Sequence, residues 1–314
     1  MSELLRVVEP GLLSTVQDLG RPHAVASGVP PGGAMDRFAH AAANLLVGNE
    51  RGAATVECTL RGPRVVATNA CLVAVTGGDF DVRLNGLSVP MWTGLWLAEG
   101  DELNVGMRRS GARAYVAVAG GVAGDRWLGS LSTNLMARRG GMDGRALVAG
   151  DVIRAAYPPP APPAAGRRIA PVLRPDYADH VLRVVAGPHF DRLIAVSTTA
   201  FSDLPFTVTP DSDRMGYRLS GPRLEARGEE LLSFGLVAGA VQLPPGGNPI
   251  LLMADYQTAG GYPVIAVVAG ASMPVAAQLI PGDEIRFALI DLAEALELRA
   301  RQRAAIPSLR SPPG

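Results

Sequence analysis

From Ala53 to Gly106 the apolar residues keep a period of two, in short bursts rather than one long run. Val56, Cys58 and Leu60 alternate with polar neighbours, and Val65–Ala67, Leu72–Thr76, Val82/Leu84 and Leu95/Leu97 follow. Turns such as Arg61-Gly62-Pro63 and Leu84-Asn85-Gly86 separate them. A two-residue period puts alternate side chains on opposite faces of a strand, and short strands at this spacing favour a barrel or sandwich over a doubly wound sheet. The pattern continues at Ala114–Ala119 and Val148–Arg154. It resumes at Val181–Ala186, Thr207–Thr209, Gly216–Leu219, Val237–Gln242, Ile250–Ala254, Val264–Val268 and Ile285–Ala288. The sequence predicts a mainly β chain with a few short helices: one over Phe38–Val47 behind Asp36 as cap and stopped by Gly48-Asn49, one near Asp191–Val196, and a terminal one from Asp291 to Arg303.

The interruption is the run Ala155 to Gly166, which carries five prolines. Proline cannot donate to a sheet ladder and keeps an extended, semi-rigid path. Residues 155–170 are therefore predicted to link an N-terminal lobe, 1–154, to a C-terminal lobe, 171–314. A short echo points to related lobes. Gly100-Asp101-Glu102-Leu103, Gly150-Asp151-Val152-Ile153 and Gly282-Asp283-Glu284-Ile285 each set Gly-Asp before a strand, as a tight turn launching it would require.

Composition removes whole classes of function. All 29 basic residues are arginine and none is lysine, so the chain contains no Gly-Lys phosphate loop, no Schiff-base lysine and no lysine to carry biotin. Net charge is zero without a basic stripe, which argues against nucleic acid as partner. No uninterrupted apolar run is long enough to span a membrane and the first residues lack a charged-then-apolar signal, so the expected compartment is the cytoplasm. Cys58 and Cys71 lie in apolar strand-like runs and are expected to be small buried residues. The four histidines have no metal-ligand spacing, and no metal site is expected.

Chemistry-bearing side chains concentrate between Asp211 and Tyr262. Asp213, Arg214 and Arg218 precede or open one strand-like run, while Asp255, Gln257, Thr258, Gly260, Gly261 and Tyr262 follow another. Ends of strands in one barrel can meet at a rim, so the two groups are expected to line one cleft. There Arg214 or Arg218 would hold an anionic group. Asp213 or Asp255 would handle a proton or water, and Gln257, Thr258 and the Gly260-Gly261 amides would face a developing oxyanion. The alternative is that Arg214 and Asp255 only brace each other. A second cluster, Gln17, Asp18 and Arg21, sets an amide, a carboxylate and a guanidinium within five residues that end in a Gly-Arg-Pro turn. It is either a substrate-binding loop or a turn whose aspartate bonds its own backbone.

Several of these stretches together resemble one family. Thr15-Val16-Gln17-Asp18-Leu19-Gly20-Arg21-Pro22, Gly32-Gly33-Ala34-Met35-Asp36-Arg37 and Ala43-Asn44-Leu45-Leu46-Val47-Gly48-Asn49 are followed in order by Gly129-Ser130-Leu131-Ser132-Thr133. Ser212-Asp213-Arg214-Met215-Gly216-Tyr217-Arg218-Leu219 comes next, then Asp255-Tyr256-Gln257-Thr258-Ala259-Gly260-Gly261-Tyr262-Pro263 and Pro281-Gly282-Asp283. This set is similar to the allophanate hydrolase subunit 2 family, also called KipA, the C subunit of 5-oxoprolinase, and biotin-dependent carboxyltransferase. One position departs: the family pattern reads Asp-Arg-Gln-Thr where this chain has Tyr256. A tyrosine offers one hydroxyl in place of a bidentate guanidinium, which bears on substrate rather than fold.

The resemblance implies two cyclophilin-like β-barrel lobes and a partner of the KipI or allophanate hydrolase subunit 1 type. It implies ATP-dependent opening of 5-oxoproline, with ATP on a partner and a large A-type oxoprolinase protein also present. Alternatively, it implies carboxyl transfer to urea from carboxybiotin carried on another chain, or a non-catalytic antagonist of a KipI-like kinase inhibitor. No cofactor is expected to be covalently bound here.

Overall fold

In the computed structural model, which describes residues 2–159 and 165–305, strands make up 37% and helices 16% of the chain, so the cores form between sheet faces. Prolines 160, 162 and 163 of the predicted linker, and the tail after residue 305, lie outside the described residues. Contacts divide the described chain into two units. One comprises residues 2–21, 32–159 and 165–174; the other comprises 22–31 and 175–305.

The first unit is built on a nine-stranded sheet that curls into a half-barrel. Along it, Leu13–Gln17 pairs with Thr55–Thr59, then come Glu102–Val118, Arg64–Ala67, Glu3–Glu9 and Val152–Arg154. The period-two residues Val56, Val73, Val75, Leu103 and Val116 fill its core. Two of its strands are longer than the sequence predicts. Leu72–Thr76 and Val82/Leu84, expected as separate strands, are parts of one strand, Cys71–Leu84, and Ala114–Ala119 belongs to the 17-residue strand Glu102–Val118. The chain bulges at Gly77 instead of ending there, and the pairing register shifts between Gly77 and Asp79. A bulge bends a strand without terminating it, so one strand serves two stretches of a curled sheet.

The predicted first helix runs from Arg37 to Leu46, capped by Asp36, whose carboxylate accepts the Ala39 N–H at 2.9 Å. Every helical residue after Arg37 is buried, including His40 and Asn44, which are hydrogen-bonded to Thr55 and to the Ala53 carbonyl. Glu57, also buried, accepts from the Tyr115 hydroxyl at 2.8 Å and the Met35 N–H at 2.9 Å, so the Gly32–Arg37 motif is pinned from beneath. Burial pushes the Cys58 thiol up to about 12 and Cys71 up to about 11, which keeps both as unreactive thiols.

The second unit is a closed seven-stranded barrel. Its order is Val181–Ala186, Val264–Val268, Ala240–Gln242, Ile250–Leu252, Gly216–Ser220, Phe206–Val208 and Glu284–Leu289, closed by parallel pairing of the last strand with the first. Phe201, Phe206 and Phe287 pack at one part of its core, with the Phe201 and Phe287 rings stacked at 4.7 Å. The helix expected near Asp191–Val196 starts later, at Ala195, and ends at Asp203. Phe190–Arg192 form one short 3-10 turn, then Leu193 bridges Ala226 and the Ile194 N–H donates to the Glu225 carbonyl, so Leu193-Ile194 are held extended and the α-helix starts only after them. The terminal helix, Leu292–Ala305, buries only Ala295 and leaves Leu292 and Leu296 exposed. The two units therefore share a β architecture but differ in closure: one barrel is complete, the other sheet is not.

The three Gly-Asp echoes are one structure repeated. Gly100, Gly150 and Gly282 have φ of 88°, 93° and 96°, which an L side chain rarely adopts. The aspartate that follows accepts the N–H of the residue three before it, Ala98, Val148 or Ile280, at 2.7–2.8 Å. The glycine N–H and the aspartate carbonyl then form a reciprocal pair with Ala67, Val7 or Val208 on the neighbouring strand. Two copies lie in the first unit and one in the second.

Candidate functional site

A cleft of about 250 Å³ opens on the outward face of the second unit's barrel. Its floor follows from strand register. Arg218 lies opposite Ile250, and Ile250 lies opposite Gln242, giving a row across three adjacent strands. The preceding or following residues, Tyr217, Leu251 and Val241, are buried toward the opposite face, as strand alternation requires. Asp211, Asp213, Met215, Gly216, Leu252, Gln257 and Tyr262 complete the lining. The structure thus brings together Asp213, Arg218, Gln257 and Tyr262 from the two sequence clusters: Arg218 lies on a strand, and the other three lie in segments that flank strand ends.

Within this cleft the groups have distinct states. Asp213 Oδ1 accepts the Met215 N–H at 2.8 Å and the Gly216 N–H at 3.3 Å, fixing the turn that leads into the strand. Arg218 is exposed, and its guanidinium makes no ion pair among the described residues. Gln242 is 1% exposed, its Oε1 accepts from Gln257 Nε2 at 3.4 Å, and its Nε2 has no acceptor among the described residues. Gln242 is a buried polar lining residue that sequence reasoning missed, as it missed Asp211. A signal for Gln242 exists: a carboxamide at the end of an otherwise apolar strand, two residues beyond the buried Ala240.

Arg214 and Asp255 lie outside the cleft lining and hold each other. Arg214 Nε donates to Asp255 Oδ2 at 2.8 Å and Nη2 to Oδ1 at 3.4 Å, with both side chains more than four-fifths covered. The Asp255 N–H also donates to the Arg214 carbonyl at 2.8 Å. This is the bracing geometry, a bidentate fork that zips the segment before Gly216 to the segment after Leu252. Tyr256 sits in an apolar cluster with Leu236, Ala240, Leu252 and Val264. The position that departs from the family pattern therefore faces packing rather than the cleft. The Thr258 carbonyl accepts the Leu236 N–H, and Gly260 pairs with Phe234 in a two-stranded ladder, which commits part of the backbone read as an oxyanion site. Gly261 lines a neighbouring hollow of about 580 Å³ with Arg192, Glu225 and Glu229, and Tyr262 borders both spaces.

Gln17, Asp18 and Arg21 belong to the first unit, where all three grip the Gly129–Thr133 motif. Asp18 accepts from Ser130 Oγ and Ser132 Oγ at 2.6 Å and from the Leu131 and Gly20 N–H groups at 2.7 Å. Burial by itself would raise its pKa, but these four hydrogen bonds outweigh it and hold the carboxyl below its ordinary value. A carboxylate so saturated anchors a loop and has little capacity left as a base. Gln17 Nε2 donates to Thr15 Oγ1 at 3.0 Å and the Thr133 carbonyl at 3.2 Å, while its Oε1 has no donor among the described residues. Arg21 is fully buried, donates to the Ser132 carbonyl, and lies 4.7 Å over the Trp127 ring.

Two barrel-related β units, the glycine-serine motif clasped around Asp18 and the Arg214–Asp255 fork define a recognisable class. The chain belongs to the carboxyltransferase domain family, subdomains A and B, which matches residues 27–289. Its sequence is 37% identical to the C subunit of 5-oxoprolinase from Escherichia coli over 303 residues, 96% of each chain. It is 30% identical to the urea amidolyase of Saccharomyces cerevisiae over 97% of this chain but only 18% of the yeast protein. The crystal structure of the K. lactis urea amidolyase superimposes with a TM-score of 0.92 at 29% identity, covering 99% of this chain and 20% of that one. Among the described residues, no helix is long and apolar enough to cross a membrane.

Proposed function

We propose that this chain is the C-type component of an ATP-dependent 5-oxoprolinase-like complex that hydrolyses a cyclic amide. It acts with a subunit 1-like, KipI-related protein and a large A-type oxoprolinase protein. The observation that carries this reading is coverage: the C subunit of 5-oxoprolinase aligns end to end, whereas the urea amidolyases align over a fifth of their length or less. The second unit's cleft suits a small anionic amide. Arg218 offers a guanidinium for a carboxylate, Gln242 and Gln257 offer carboxamides, and Asp213 offers a carboxylate to position water. No lysine occurs in the sequence, so ATP binding through a Gly-Lys loop falls to a partner.

The carboxyltransferase reading is favoured by the name of the matching family and by the high structural similarity to urea amidolyase. In that case the biotin is carried on another chain and the same cleft receives urea. The deciding measurement is ATP-dependent release of glutamate from 5-oxoproline by this chain mixed with its subunit 1-like and large A-type partners. Glutamate formation that requires this chain supports the hydrolase reading. Its absence, with carboxylation of urea in the presence of a biotinylated carrier, replaces it with the second.

A further inference from the structure

We infer that Gln242 is a substrate-recognising residue whose Nε2 donates a hydrogen bond to the carbonyl oxygen of the bound small molecule. Gln242 is almost wholly buried, lines the cleft beside Ile250 and Leu252, and its Oε1 is already engaged by Gln257. Its Nε2 carries two donor hydrogens and has no acceptor among the described residues. A buried donor without a partner is costly, so in a native chain it calls for an acceptor from outside the fold, and one facing a cleft is placed to take it from a ligand.

Gly260 makes room for the pair of amides. A Cβ built on Gly260 would lie 2.8 Å from Gln257 Nε2 and 3.3 Å from Gln242 Nε2, so the bare Cα of Gly260 is what lets both amides meet there. Gln257 is exposed and held to Gln242 by a single 3.4 Å bond, so rotation of its side chain uncovers the Gln242 amide to the cleft. A carbonyl entering there takes the Gln242 donor, and Arg218, two positions along the same row, stands ready for a carboxylate on the same molecule. The choice of 5-oxoproline as ligand rests on the proposed function, and the two fail under different outcomes of one experiment.

Calorimetric titration of 5-oxoproline and, separately, urea into the full chain and its complex with the subunit 1-like partner tests this, using wild type, Gln242→Met and Gln242→Glu. Wild type is expected to bind 5-oxoproline, with both variants at least about tenfold weaker, because the site loses the donor a carbonyl needs. Tm of Gln242→Met is expected to be unchanged or higher, since an unmatched buried donor has been removed, whereas a purely structural glutamine would lower it. Equal affinity of wild type and both variants for 5-oxoproline overturns the inference and leaves the proposed function standing. Binding of urea but not 5-oxoproline, with the same dependence on Gln242, overturns that function and keeps the inference. Binding of neither ligand overturns both.

Discussion

Arg214 and Asp255 form the bracing pair that the sequence offered as the alternative to a chemical role. Both side chains of their guanidinium–carboxylate fork are largely covered, and the backbone N–H of Asp255 bonds the Arg214 carbonyl beside it. Arg214→Ala and Asp255→Asn are each expected to destabilise the chain by roughly 1.5–3 kcal/mol, with a double mutant less destabilised than the sum by about 1 kcal/mol or more. Denaturant unfolding of the four proteins gives the cycle. Additive effects, or loss of activity in fully folded variants, would return these residues to the chemistry. His40 gives a pH prediction. Burial lowers its pKa from 6.5 to about 4, against the opposing pull of Asp18 and Glu57. The unfolded chain therefore binds this proton first, and stability falls as pH drops from about 6.5 to about 4, by roughly 3 kcal/mol in all. A His40→Gln variant should show a shallower loss over that window in urea unfolding. Identical slopes for the two proteins would exclude His40 as the source.

At the scale of elements, turns were more legible than strand lengths. The Gly-Asp echo was visible as three dipeptides, and each forms the same positive-φ turn with the same aspartate cap. Such a turn is decided locally, by glycine's access to positive φ and by the reach of an aspartate side chain. The long strand Cys71–Leu84 was not legible, because Gly77 looks like a break in a linear pattern. Only its pairing with Ala114 reveals a bulge. Gly77 has φ of 107°, and an added Cβ would lie 2.2 Å from the Arg113 carbonyl oxygen. Gly77→Ala is expected to cost about 1–3 kcal/mol or more, whereas Gly86→Ala, at a hairpin turn with open space around it, should cost less. Thermal unfolding of the two variants checks the order, and an equal loss in Tm would show that φ strain alone, and not the close approach, sets the cost.

For the whole molecule, end-to-end similarity to one component of a multi-protein enzyme makes assembly the central expectation. The isolated chain is expected to be inactive toward 5-oxoproline and to form a tight complex with its subunit 1-like partner. Co-expression followed by size-exclusion chromatography tests this, and separate elution at micromolar concentration would count against it. The exposed terminal helix, with Leu292 and Leu296 outward, does not enter that expectation, since nothing in the fold says what covers it.

By itself the sequence determined the features that depend on neighbours along the chain. These are the period-two strands, the Asp36 cap, the Gly-Asp turns, the buried cysteines and, through ordered motifs, the family. Tertiary structure decided what each motif side chain meets. It engaged Asp18 with the Gly129–Thr133 motif, and it sent Tyr256 into an apolar cluster. It closed Arg214 onto Asp255, and it placed Gln242 opposite Ile250 and thus in one row with Arg218. Hydrogen-bond saturation and strand register are properties of residues far apart in sequence. They exist only once the sheet has chosen its pairing, so no reading of one segment at a time could have supplied them.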